Sequence, residues 1–145
     1  MMRRFPTKLA RDEAGSTLVE FAILAPVIFG MIFGVIQVGA SMQSYNAMRS
    51  IASDTARYAA VEYMKKNEVS DAALQSYAQN LAASPPYALR GTQPVIMVES
   101  VATPRVDGTF EKTLTITYTP PNLMPIMAIP MPELNYSRPI FVIDE

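Results

Sequence analysis

The chain has 145 residues with 12 Lys and Arg against 13 Asp and Glu, a formal charge of −1, and it contains no cysteine, histidine or tryptophan. Disulfides, thiolate chemistry and imidazole ligation are therefore excluded, and any core must hold by packing alone. The charge is unevenly spread: Arg3, Arg4, Lys8 and Arg11 outweigh Asp12 and Glu13 in a leader at residues 1–15, and no later segment clusters Lys and Arg as a nucleic-acid surface would.

The leader gives way at Gly15-Ser16 to a small polar stretch, and Glu20 stands at the mouth of a long apolar run. From Phe21 to Met48 there is no charged residue. About 20 helical residues cross a hydrocarbon core of ~30 Å, so residues 16–40 are expected to form a single transmembrane helix. Four basic residues precede the run, whereas Arg49 and Arg57 follow it. That bias predicts a cytoplasmic N-terminus and an extracytoplasmic C-terminal part. Two features lie within the span. Pro26 removes one backbone hydrogen bond and is expected to kink the helix, and Gly30-x-x-x-Gly34 would let a second helix approach closely. A cleaved secretory signal ending at Val38-Gly39-Ala40 is the alternative, although its apolar part is normally shorter, ~7–15 residues.

Beyond the span, Tyr45, Met48, Ala52, Ala56, Ala59 and Tyr63 recur every three or four residues, with Arg49, Ser53, Asp54, Arg57 and Glu62 opposite them. This amphipathic spacing predicts that the helix continues as a stem over 41–66, stopping near Asn67. Ser70-Asp71 offers an N-cap for a second helix carrying Leu74, Tyr77, Ala78 and Leu81 on one face and ended by Ser84-Pro85-Pro86.

The period then changes to two. Val95–Val101 and Lys112–Thr119 read as strands, with Asp107-Gly108 as the turn signal. Leu114, Ile116 and Tyr118 should pack on the stem while Thr113, Thr115, Thr117 and Thr119 face the other way. Pro120, Pro121, Pro125, Pro130, Pro132 and Pro139 argue for an extended loop over 120–139. Its apolar residues, among them Leu123, Met124 and Ile126, either lie across the domain or meet a partner. Ile140–Ile143 is a candidate third strand, and Asp144 and Glu145 keep the end solvated. The expected fold is thus α+β: a long N-terminal transmembrane and stem helix, then a small domain at 67–145 with a short helix and a β-hairpin or three-stranded antiparallel sheet.

No catalytic constellation, metal-ligand cluster or phosphate-binding glycine loop is present, so no enzyme activity or cofactor is expected. Asp107 and Glu111 are a carboxylate pair at a predicted turn, where acids are ordinary, and Asn135-Tyr136-Ser137 matches a glycosylation acceptor without further support.

The segment Arg11-Asp12-Glu13-Ala14-Gly15-Ser16-Thr17-Leu18-Val19-Glu20-Phe21-Ala22, followed by Leu24-Ala25-Pro26 and the apolar helix, resembles the TadE family. Leu114-Thr115-Ile116-Thr117-Tyr118 and the proline-rich stretch after it are similar, more loosely, to the family's terminal region. TadE-like proteins are pseudopilins, minor pilin-like components of the tight-adherence (Tad or Flp) pilus machinery, a type IV pilus system. The resemblance implies cleavage after Gly15 by a prepilin peptidase, with Ser16 first and Glu20 fifth in the mature chain. It also implies contacts with other pilin or pseudopilin subunits through the N-terminal helix and with the inner-membrane assembly platform. Ser16 stands where ordinary type IV pilins carry phenylalanine. The alternative to a cleaved subunit is an uncleaved single-pass membrane protein with an extracytoplasmic scaffold or binding domain.

Overall fold

The structure is a computed structural model and describes residues 13–123 and 131–143. The basic leader up to Asp12, Met124, Ile126 and the rest of the apolar loop to Pro130, and the terminal Asp144 and Glu145 lie outside the described residues. The chain divides into two compact units that meet in sequence between Gln37 and Val38.

Helix α1, Glu13–Met64, runs without interruption for 52 residues and contains Pro26. In its C-terminal half the buried residues are Met48, Ile51, Ala52, Thr55 and Ala59, a seam with the three-and-four spacing of one helical face. The sequence reading had this face within a fraction of a turn. Ile51 and Thr55 are its centre, Ala56 and Tyr63 are half-buried, and Tyr45 is exposed with its ring edge-on to Tyr136 at 5.7 Å. Thr55 is tolerated at zero exposure because its hydroxyl donates to the Ile51 carbonyl at 2.8 Å. The helix ends in a Schellman motif. Lys66 takes a φ of +59°, its N–H donates to Tyr63 O at 2.8 Å, and the Asn67 N–H reaches back to Glu62 O at 3.0 Å.

Helix α2, Asp71–Ala83, is capped by Ser70, whose side chain accepts from the Ala73 N–H at 3.3 Å, and it ends at Ser84 before the two prolines. Leu74, Ala78 and Ala82 are its buried residues. Tyr77 stacks on Tyr58 of α1 with ring centroids 4.1 Å apart.

The sheet is antiparallel in the order β1-β2-β3, with β1 at Val95–Ser100, β2 at Thr109–Tyr118 and β3 at Leu134–Ile143. Pairing runs Ile96↔Ile116 and Val98↔Leu114 on one side of β2 and Ile116↔Tyr136 and Lys112↔Ile140 on the other. Alternation puts Ile96, Val98, Leu114, Ile116, Tyr118, Ile140 and Val142 on one face, and all seven are buried with the α1 seam and the α2 face in one core. Burying a side chain of this kind contributes roughly 1.5–3 kcal/mol. The α+β architecture is that expected from the sequence, in its three-stranded form.

Two expectations are corrected. The loop placed at 120–139 is shorter, because β3 begins at Leu134 rather than Ile140 and includes Pro139. Strand β3 lies at the sheet edge, where a residue without an N–H need not break the ladder. The link between the first two strands is also shorter than the expected 102–111. Residues 101–108 separate β1 from β2, with Gly108 at a φ of +75°, and Glu111 sits in β2, 2% exposed, rather than in the turn. Its carboxylate folds the loop back by accepting from Arg105 N and Arg105 Nε, each at 2.7 Å.

Those hydrogen bonds from the Arg105 side chain and backbone hold the Glu111 carboxyl below the ordinary glutamate range. At Asp71, burial raises the carboxyl, but bonds from Lys112 and Ser100 outweigh it and the net direction is also down. A carboxyl whose folded pKa is depressed stabilises fully above its unfolded pKa of about 4 and loses that contribution as pH falls through the folded value. Thermal midpoints measured by circular dichroism should therefore drop as pH falls below about 4. The drop should be shallower in Glu111→Gln, and equal slopes for the two proteins would remove Glu111 from the acid response.

Candidate functional site

Within the first unit, α1 is apolar on every side. Phe21, Ile23, Met31 and Val35 are 64%, 68%, 69% and 75% exposed, and the other large apolar residues from Leu18 to Val38 are exposed as well. A helix in water hides an apolar stripe, whereas one hydrophobic all round needs an apolar surrounding. Among the described residues it is the one helix long and apolar enough to cross a membrane. Its backbone groups are bonded internally, as a lipid environment demands, and only Pro26 interrupts the ladder.

The residues singled out at its start lie within about one and a half turns, with Glu20 one turn after Ser16. Gly15 and Ser16 stand in the first turn, where helix N–H groups have no acceptor within the helix. The Ser16 hydroxyl donates to Glu20 Oε1 at 3.4 Å. Among the described residues a Cβ built on Gly15 meets nothing within 4 Å, so none of them requires glycine there by packing. The same holds at Gly34. Gly30 and Gly34, four residues apart, share one face of the helix, and neither is brought near Glu20 by the fold. Among the described residues no group of acids could hold a metal ion.

The second unit holds a polar cluster that the sequence reading did not foresee. Ser53 and Asp54, expected on the solvent face of the stem, are half-buried. Ser53 accepts from Arg138 Nη1 at 2.5 Å, and Asp54 accepts from the Tyr87 hydroxyl at 2.6 Å. Both partners come from beyond α1 in sequence, Tyr87 from the segment after α2 and Arg138 from β3, so only tertiary packing reveals them. The residues form one open cleft of about 440 Å³ that also takes in Arg49, Ser50 and Tyr136.

The class is thus set by one helix of membrane-spanning length that continues into a small α+β domain, as in single-pass membrane proteins. The family model described as TadE-like protein matches residues 15–57, covering the glycine junction, Glu20, the apolar run and the first half of the stem. Over that segment the chain is similar to the TadE-like family. No curated protein and no solved structure matches the chain.

Proposed function

We propose that the protein is a minor pilin-like subunit of a Tad-type pilus, held in the bacterial inner membrane by α1 with residues 1–15 in the cytoplasm and the α+β domain outside. A prepilin peptidase cuts between Gly15 and Ser16, and the trimmed subunit acts in the assembly, initiation or tip of the filament. No cofactor and no catalysis are part of this role. What supports the reading above all is the placement of Glu20: one carboxylate, one helical turn from the glycine junction, at the edge of a run with no other charge until Arg49.

Cleavage gives Ser16 an α-ammonium with a pKa of about 8, charged at neutral pH. A carboxylate bordering apolar surroundings seeks a cation, and this amine, its own or a neighbouring subunit's, is the available one. Gly30 and Gly34 then offer a small-residue face for a neighbouring helix, with Pro26 accommodated by the same packing.

The test is the N-terminal residue of the protein purified from membranes of a cell carrying the whole pilus system. Ser16 is expected, and Gly15→Ala should abolish trimming. Because alanine at 15 clashes with none of the described residues, that loss would report recognition by the peptidase rather than misfolding. An intact leader in the unsubstituted protein would leave a plain single-pass anchor, and a start at Ser41 would make the domain a secreted one.

A further inference from the structure

The cleft of the second unit contains more positive charge than its own residues satisfy. Arg138 is half-buried, and among the described residues its one partner is the Ser53 hydroxyl at 2.5 Å, although a guanidinium carries five N–H donors. Arg49 lies four residues before Ser53 on the same face of α1. The ion pairs among the described residues involve Lys65, Arg105 and Lys112, so neither cleft arginine has a carboxylate. Asp54, the one acid in the cleft, accepts from Tyr87. Two guanidiniums with spare donors beside hydroxyls are suited to a phosphate, which they bind in bidentate fashion.

The position of the cleft along α1 says which phosphate. Arg49 is the first charge after the run that begins at Phe21. A helix of that length rises about 42 Å at ~1.5 Å per residue, against ~40–45 Å for a bilayer with its headgroup layers. A charge-free run of that length is enough to span, which leaves Arg49 as the first charge available to the headgroups beyond it. Tyr87 and Tyr136 line the cleft, and Tyr45 packs edge-on against Tyr136, giving the aromatic residues that favour the membrane–water boundary.

We propose that the Arg49–Arg138 cleft binds the phosphate of a phospholipid headgroup in the leaflet facing the α+β domain, anchoring that domain to the membrane surface. The inference rests on the reading of α1 as a span and not on cleavage at Gly15.

The test uses the full chain in a neutral detergent, with thermal unfolding followed by circular dichroism. Dihexanoyl-phosphatidylglycerol, below its micelle concentration, is compared with sodium phosphate at the same ionic strength. The lipid is expected to raise the midpoint by several degrees. Arg49→Ala, which breaks no hydrogen bond or ion pair among the described residues, should weaken the apparent affinity at least fivefold, while Lys65→Ala leaves it unchanged. An undiminished shift in Arg49→Ala would overturn the proposal. So would inorganic phosphate acting as strongly as the lipid, which would mean a free-anion site, or a response to hexaglutamate but not to lipid, which would mean an acidic protein partner. Carbonate extraction of the source membranes separates these failures from failure of the span, since a spanning chain stays in the pellet.

Discussion

Glu20→Ala is expected to leave trimming at Gly15 intact and to lower the yield of surface pili more than tenfold, as counted by electron microscopy beside an immunoblot for the trimmed subunit. On the proposed reading the Ser16 ammonium would lie among apolar helices of neighbouring subunits, because the residues that follow it are apolar around the whole circumference of α1. Removing one partner of a desolvated pair leaves the other charge uncompensated, at about 3–5 kcal/mol, or more than a hundredfold in an equilibrium. Glu20→Gln keeps the size and the hydrogen bond but not the charge. If charge pairing is the reason for the carboxylate, glutamine should fare nearly as badly as alanine. Normal pili from both variants would remove the electrostatic account, whereas loss of trimming would move Glu20 into peptidase recognition.

The first unit was legible in the sequence because its evidence is local. A charge-free run from Phe21 to Met48 needs no knowledge of any other segment to be read as a helix, and the placing of Glu20 one turn after Ser16 follows from helical geometry alone. The strands were legible for a similar reason: Leu114, Ile116 and Tyr118 alternate with threonines, and all three are buried. The α2 boundaries followed from side chains that act within a few residues, Ser70 at one end and Ser84-Pro85-Pro86 at the other.

The parts that were missed depend on partners far away in the chain. Prolines argued against a strand over 134–139, but they exclude only a central position, and β3 is an edge strand whose register is set by ten residues of β2. Glu111 read as a turn acid because the cation that permits its burial, Arg105, reaches it only after the loop folds back. The Arg49 and Arg138 cleft joins residues 89 positions apart in a chain with no other sign of the contact. Periodicity tells which way a side chain points, not which charge will be waiting for it.

Lys112 carries the second large expected effect. It follows Glu111 in β2, so strand alternation turns it to the core face, where it pairs opposite Ile140 and is 7% exposed. A buried lysine is tolerable only with its charge matched and its donors used. Here Nζ bonds Asp71 Oδ1 at 2.5 Å and the Val69 carbonyl at 3.2 Å, and Asp71 in turn accepts from the Ser100 hydroxyl at 2.9 Å. One cation thus ties the first residue of α2, the segment before it and the end of β1 to the central strand. Lys112→Ala would leave an acid and a buried carbonyl without their donor. The full penalty for breaking a buried pair is about 3–5 kcal/mol, but the Asp71 side chain is 35% exposed, so screening by solvent reduces the expected loss to roughly 2–3 kcal/mol. Chemical denaturation of the full chain in detergent measures it. Adding Asp71→Asn to Lys112→Ala should cost little more than Lys112→Ala alone, since the two residues act as a unit. Strict additivity would show that the lysine stem, packed along the core, rather than the charge pair, holds α2 on the sheet.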